Sequence, residues 1–405
     1  MTLKIYNTLS KTKKRFRSLN KNKINLFVCG PTVYDHAHIG HARCFIFFDF
    51  FVKYLRSKGL EVFYLQNITD IAKKINRKAI ENKKTPKEVS AFYTKSFLED
   101  MASLNITSVT KYAITTKYLN EIKSQIKRLI EKGYGYITKE GVLFNTKKVR
   151  RFGMLIKKNK RKSLKDIEPG YSKKNIKDFF LWRNNLDSYL LSWNSPWGKG
   201  IPGWHIEDTA ITEKYFGSQY DIHGGGIDLI YPHHEAERAQ MESITKKRPF
   251  VNYWMHIQIL KIKGKKMSKS KGNCIYIKNI LKKYSHNTIR IFSLSKHYRK
   301  KLNYSKREIK KAKLINELLL KVIKNLRKIS KNKKSKTENK RKKIFIKEIC
   351  SILEDDLNTE LVIKKFNNYL LKIRKDIKKK KVSRQDAELY LEEISNLSNI
   401  FGLTI

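Results

Sequence analysis

KINLFVCGPTVYDHAHIGHARCFIFFDFFVKYL, residues 23–55, decides the fold. KINLFVCG (23–30) reads as a short buried strand that ends in Gly-Pro. A turn carrying His36, His38 and His41 follows, then an apolar run of helical length. LEVFYLQNITDI (60–71) reads as the next strand. Strand, turn, helix, strand opens a doubly wound α/β sheet, whose ligands sit at the carboxyl ends of the strands. His38 and His41 bracket Gly40 at the mouth of that helix. Taken alone, the pair reads equally as a ligand site or as satisfied structural groups.

Composition narrows the class. A chain of 405 residues predicts two or three domains. Hydrophobic content of 40% argues for a globular protein and against disorder. Lys+Arg of 89 against Asp+Glu of 36 leaves a net charge of +53. That field attracts polyanions, nucleic acid first. The abundance of Lys, Ile and Asn also fits AT-rich codons, so the charge has two sources. Four cysteines (Cys29, Cys44, Cys274, Cys350) form no CxxC. This argues against a disulfide framework and for a reducing compartment. No apolar run approaches the roughly 20 residues of a membrane span. The basic start lacks the apolar core of a signal peptide. A cytoplasmic, membrane-free monomer is expected.

The texture changes along the chain. Residues 111–195 read as an insertion into the sheet. They hold an amphipathic helix closed by Gly133 and Gly135, then a basic stretch that fits a solvated face. Residues 196–240 are rich in Gly, His and acids. Beyond about 300, Ala312, Ile315, Leu319, Val322 and Leu326 fall on one helical stripe. Residues 330–343 read as a charged linker. Ser383, with Asp386 three residues on, reads as the cap of a last helix.

A second motif gives the histidines a meaning. GKKMSKSKGN (264–273) sets Lys266 and Lys269 around Met267 and Ser268 in a glycine-bounded loop. With His38-Ile39-Gly40-His41 it resembles the HIGH and KMSKS pair of class I aminoacyl-tRNA synthetases. Further stretches stand in the order found in the cysteinyl-tRNA synthetase family. They are FVCGPTVYDHAHIGHAR, NITDI (67–71), SPWGKGIPGWHIE (195–207), DIHGGGIDLIYPHHEAE (221–237) and KMSKSKGN. DFFLWR (178–183) and HYRKKLNYS (297–305) are similar to that family as well. The resemblance runs from about residue 3 to about 305 and continues more weakly to the end.

The resemblance implies a Rossmann-type doubly wound catalytic domain with an inserted connective domain, followed by an α-helical bundle. The expected division is 1–110 and 196–262 for the two halves of the catalytic domain and 111–195 for the insertion. Residues 263–305 then carry the KMSKS loop and stem contacts, and 306–405 the tRNA-binding bundle. The implied reaction joins L-cysteine to tRNA(Cys) through cysteinyl-adenylate, with ATP and Mg²⁺. His38, Gly40, His41, Lys266, Ser268 and Lys269 would bind ATP. Of these, His38, His41, Lys266 and Lys269 would be catalytic, because charge grows on phosphate oxygens in the transition state. Cys29, Thr69, Trp204, His223 and Asp228 would line the cysteine pocket.

The family also implies a zinc ion that grips the substrate thiol, held by two cysteines, a histidine and a glutamate. Cys29, His233 and Glu237 match by position. The fourth ligand departs: the family reads Gly-Trp-His-Ile-Glu-Cys, and here Asp208 closes that stretch. A carboxylate is an acceptable zinc ligand. The expected set is therefore Cys29, Asp208, His233 and Glu237, with a three-ligand site or loss of metal as the alternatives. Two aspartates that usually follow NITDI are replaced by Ala72 and Lys73. The family usually continues past the bundle into an anticodon-reading domain. The sequence stops at Ile405, so that domain is expected to be missing and bundle lysines to serve instead. Two rival readings remain: a ligase that joins cysteine to an amino sugar, and a non-catalytic RNA-binding remnant.

Overall fold

The structure, a computed structural model, describes residues 2–156, 168–184, 191–267, 272–331 and 344–405; at Lys266 and Ile344 it describes the backbone only. A hairpin of β1 (Lys4–Asn7) and β2 (Thr12–Arg15) precedes β3 (Lys23–Val28), α1 (Ile39–Ser57) and β4 (Glu61–Ile68). Helices α2 (Lys73–Glu81) and α3 (Pro86–Ser103) lead to β5 (Lys111–Ile114). Lys111–Ile114 opens the stretch read as an insertion, yet it pairs parallel to β4 as an edge strand.

Helix α4 (Leu119–Glu131) follows. A four-stranded antiparallel sheet comes next: β6 (Gly135–Thr138), β7 (Gly141–Phe144), β8 (Phe179–Asn184) and β9 (Gly200–Pro202). The chain then returns through α5 (Trp204–Phe216), β10 (Tyr220–Gly226), α6 (Glu235–Thr245) and β11 (Val251–Ile257).

The central sheet runs β11-β10-β3-β4-β5, all parallel. The chain starts in the middle at β3, builds outward to β5, then returns to the other side of β3. Strand order reverses between β3 and β10, the place where such sheets open a crevice for ligands.

Helix α1 covers this sheet. Its residues from Ala42 to Val52 are all buried, so it is apolar on every side and lies inside the molecule. Phe48 presses onto β10 at Gly224, where an added Cβ would stand 2.2 Å from the ring; no larger residue fits under it. Arg43 and Asp49 are the charged exceptions on this stretch: Arg43 donates to the carbonyls of Ile259 and Lys300, and Asp49 is the acid. Its carboxylate meets the Arg290 guanidinium at 2.5 Å and Lys53 at 2.7 Å, and accepts from the Thr107 and Ser108 backbone N–H groups at 3.0 Å. Arg290 also donates to the carbonyls of Leu104, Asn105 and Phe401. One buried ion pair therefore joins the catalytic sheet's main helix to the helical end of the chain.

That end begins with β12 (Leu260–Ile262) and β13 (Lys265–Lys266), then α7 (Ile277–Leu281) and α8 (His286–Leu294). β14 (Leu302–Tyr304) pairs with β12. Helices α9 (Lys306–Ser330), α10 (Ile344–Glu354), α11 (Thr359–Lys378) and α12 (Arg384–Phe401) form the bundle. Ala312, Leu319, Val322 and Leu326 are buried on α9, and Ile315 is partly so, as the stripe predicts. Ser383 caps α12 in a reciprocal box with Asp386. The linker read at 330–343 lies, beyond Lys331, outside the described residues.

Candidate active site

The HIGH stretch is the start of α1. His38 is its N-cap, with φ −119° and ψ 168°, and His41 is the third residue of the first turn. His38 Nδ1 accepts the His41 N–H at 3.3 Å, and His41 Nδ1 accepts the His38 N–H at 3.3 Å. This is a capping box built from two imidazoles. The rings stack 3.8 Å apart and 4° from parallel. Because both Nδ1 atoms accept, the proton of each neutral ring sits on Nε2. Two N–H donors thus stand together at the positive end of a long buried helix, an arrangement suited to phosphate.

The second motif lies against the first. Ile39 N–H donates to Ile275 O, and Ile277 N–H to Ala37 O, both at 2.9 Å. Met267 is buried, and an added Cβ at Gly40 would stand 2.9 Å from its Cε. Glycine between the histidines is what lets the KMSKS methionine sit there. Lys266 lies on β13, paired with Lys261. Ser268 and Lys269 lie outside the described residues.

A second group of side chains gathers at the carboxyl ends of the strands. Cys29 directly follows β3, Thr69 follows β4, and His223 is within β10. Asp208 is on α5, and His233 and Glu237 lie at the entry to α6. Thr69 N–H donates to Pro31 O and Thr69 O accepts from Val33 N–H, both at 3.1 Å, which fastens the two strand ends together. Cys29 Sγ lies 3.2 Å from Asp208 Oδ2, 3.1 Å from His234 Nε2 and 3.4 Å from His223 Nε2. His233 Nε2 lies 3.1 Å from Asp208 Oδ2 and 3.2 Å from Glu237 Oε1. Two overlapping sets of four donors have all atoms within 4.8 Å: Cys29, Asp208, His233 and Glu237, and Cys29, His223, His234 and Glu237. The first is the set expected from the sequence.

Each imidazole is held from behind. His233 Nδ1 meets His205 Nδ1 at 2.9 Å, and His223 Nδ1 meets the Tyr220 hydroxyl at 2.6 Å. His234 Nδ1 meets His256 Nε2 at 2.8 Å, and His256 Nδ1 meets Thr8 Oγ1 at 2.7 Å. That relay allows His234 to keep its proton on Nδ1 and turn the Nε2 lone pair inward. Burial favours the neutral rings: it pushes His256 down to about 3 and His205, His223 and His234 well below their ordinary values. Trp204 stacks on His233, with centroids 4.1 Å apart, and is 40% exposed, so it forms the outer wall. Asp228 is exposed on the turn after β10, outside both donor sets.

Burial first, then the Asp208 and Glu237 carboxylates, push the Cys29 thiol well above its ordinary value. Burial and Asp208 raise Glu237 likewise. Neither oxygen of buried Glu237 receives a well-aligned hydrogen bond; the imidazole nitrogens of His233 and His223 stand 3.2 and 3.5 Å away. Buried carboxylates are normally satisfied, because desolvation is costly. A thiol, two carboxylates and neutral imidazoles converging this way fit a divalent cation, which would reverse the local field and favour every deprotonated form.

The sequence reading left out His234, His205, His256, Tyr220 and Asn67. His234 had a local signal as the second histidine of HHEAE, and Asn67 and His205 lie within NITDI and GWHIE. Asn67, His205, Tyr220 and His256 reach the cluster from β4, α5, β10 and β11 through the fold.

Residues 15–314 match the family model described as tRNA synthetases class I (C) catalytic domain. A cysteine–tRNA ligase of Thermoplasma acidophilum is 50% identical over 310 residues, covering 75% of this chain and 68% of that protein. The chain belongs to the class I cysteinyl-tRNA synthetase family. A Thermococcus onnurineus member is 38% identical over 420 residues, covering 100% of this chain and 87% of its own. The fold extends to more distant synthetases. Methionyl-tRNA synthetase of Mycobacterium tuberculosis, bound by methionyl-adenylate, shares it with a TM-score of 0.70 at 14% identity, covering 94% of this chain and 92% of that one.

Proposed function

We propose that this chain activates L-cysteine with ATP and transfers it to tRNA(Cys), with the two side-chain groups above dividing the work. The observation that carries this reading is their placement: both lie at the carboxyl ends of the strands beside the switch point, on the two sides of the 29–41 turn. The cysteine carboxylate oxygen attacks the α-phosphorus of ATP, and pyrophosphate leaves. The terminal ribose hydroxyl of tRNA then attacks the adenylate carbonyl, and AMP leaves.

His38 and His41 offer Nε2–H donors to the phosphates, with Mg²⁺ accompanying ATP. Lys266, Ser268 and Lys269 close over the leaving pyrophosphate from the loop that Met267 anchors at Gly40. Such groups act mainly by positioning and by stabilising charge that grows in the transition state. Thr69, Trp204, His223 and Asp228 form the amino-acid pocket, with Trp204 closing it toward solvent.

Cys29, Asp208, His233 and Glu237 hold zinc. Zinc bound there would take the substrate thiolate directly and so separate cysteine from serine. Shape alone separates such near-isosteres by only about 10–200-fold. Support comes from the donor set and the unsatisfied Glu237 carboxylate.

The proposed domains are 1–110 and 196–262 for the catalytic sheet, 111–195 for the insertion, 263–305 for the KMSKS region and 306–405 for the bundle. The antiparallel β6–β9 sheet supports an insertion, while the pairing of β5 with β4 favours a start a few residues later than 111. The chain acts as a cytoplasmic monomer; no helix of the described residues is long and apolar enough to cross a membrane. Cysteine-dependent ATP–pyrophosphate exchange together with charging of tRNA(Cys) tests the reading. Charging of glucosaminyl-inositol in place of tRNA, or no exchange with zinc supplied, would overturn it.

A further inference from the structure

Asp208 stands where the family has a thiolate, and the structure shows how a carboxylate is fitted to that place. It is 1% exposed, and its two oxygens have different partners. Oδ2 faces Cys29 Sγ at 3.2 Å and His233 Nε2 at 3.1 Å. Oδ1 points away and accepts from Asn67 Nδ2 at 2.6 Å.

We propose that Asn67 is a positioning residue that makes Asp208 a one-oxygen metal ligand. The proposal rests on the zinc reading above.

The Asn67 amide has one possible orientation. Its Oδ1 accepts the Gly30 N–H at 2.6 Å, and its Nδ2 donates to Asp208 Oδ1 and to Thr69 Oγ1, the latter at 3.2 Å. A flipped amide would set oxygen against carboxylate oxygen and N–H against N–H. Asn67 is itself 2% exposed and lies within β4, so its backbone is fixed by the sheet. One rigid amide therefore holds both the peptide next to Cys29 and the carboxylate of Asp208.

The chemistry requires such a holder. A free carboxylate turns about its last bond and offers one oxygen or two. A zinc held by three other side chains that must also take up a substrate thiol would need only one oxygen from Asp208. The hydrogen bond occupies Oδ1 and fixes the rotation. A thiolate has a single donor atom and needs no partner of this kind. Groups behind metal ligands commonly change metal affinity by about 10–100-fold when removed.

The difference between carboxylate and thiolate supplies the test. Zinc affinity is measured by competition with a chromophoric chelator in the natural protein, Asn67→Leu, Asp208→Cys and the double variant. Asn67→Leu is expected to weaken zinc binding by about 10–100-fold in the natural background and by less than about threefold in the Asp208→Cys background. The loss of the Gly30 contact is common to both backgrounds and cancels. The absorption bands of cobalt in place of zinc give a second readout and should change with Asn67→Leu in the natural background only. Melting curves identify folded variants, and Asn67→Ser replaces Asn67→Leu where the latter does not fold. Equal losses in both backgrounds, or no loss in either, would overturn the role of Asn67 while leaving the zinc reading intact. A natural protein that takes up no zinc would overturn both.

Discussion

At Asp208 the chain exchanges a soft thiolate for a hard carboxylate, and the exchange has consequences that can be measured. Zinc prefers sulfur and nitrogen donors, so in the proposed site Cys29 would carry more of the metal's affinity than it would beside a second cysteine. Asp208→Cys is expected to tighten zinc binding by on the order of tenfold or more and to widen the preference for cysteine over serine. Chelator competition and paired exchange assays read both effects. Lys269 tests the other half of the site. Lys269→Ala should slow adenylate formation by about 10²–10³-fold, the usual effect of removing one preorganised charge-stabilising donor. Cysteine binding should change far less. Equal losses in both, from exchange kinetics and equilibrium binding, would contradict the assigned role. At this scale the sequence was partly legible. Cys29, His233 and Glu237 could be matched by motif, since each sits in a recognisable local string. Asn67 and His205 also sit in such strings, NITDI and GWHIE, but nothing in them assigns either residue to the metal cluster, and His256 lies in none. Their importance is created by strand pairing and by a helix crossing that bring distant residues within about 3 Å, and no spacing in the chain records that.

The element that matters most is α1, and its two ends of chemistry differ. Its first turn is an imidazole capping box, so His38 has a structural role beside the phosphate contact proposed for it. Replacing an N-cap side chain by alanine costs about 0.5–2 kcal/mol. His38→Ala should therefore lower the melting temperature modestly while reducing adenylate formation much more. In its middle, Asp49 and Arg290 form a buried pair. Burial alone would raise the Asp49 carboxyl, but Arg290, Lys53 and their hydrogen bonds outweigh it and hold the group below its ordinary value. Asp49→Asn leaves Arg290 buried without a counter-charge and should cost about 3–5 kcal/mol. The sign of the pH effect follows. A lowered carboxyl adds stability that is present above its unfolded value of about 4 and lost as pH falls through the folded value. The melting-temperature gap between the natural protein and Asp49→Asn should be widest near neutral pH and close in acid. A gap independent of pH would refute the pairing. The sequence announced α1 through its unbroken apolar run. It did not announce β5: Lys-Tyr-Ala-Ile is four residues long, and only its pairing with β4 makes it a sheet strand.

Over the whole molecule, the net charge of +53 is a statement about the partner more than about the fold. Phosphate contacts release counterions, so log affinity for RNA falls steeply with log salt, by roughly 0.7–0.9 per phosphate contacted. The KM for tRNA should therefore rise sharply between low and moderate salt. Cysteine-dependent exchange, which needs no tRNA, should change little. Parallel titrations would show it, and equal salt sensitivity in both assays would count against a basic RNA-binding surface. Charge and the apolar pattern made a globular, polyanion-attracting α/β chain legible, and the resemblance of its motifs supplied the class. The meeting of the HIGH turn with residues 275–277 was not, because the two are more than 200 residues apart and touch only once the sheet and the KMSKS region have packed.

The Cys29–Asp208–His233–Glu237 cluster, proposed as the metal site through which this chain selects cysteine, is tested by metal analysis of the purified protein paired with exchange before and after chelation. About one zinc per chain is expected, with exchange lost on stripping and restored by added zinc. Zinc near zero in a protein whose cysteine-dependent exchange is intact would contradict it.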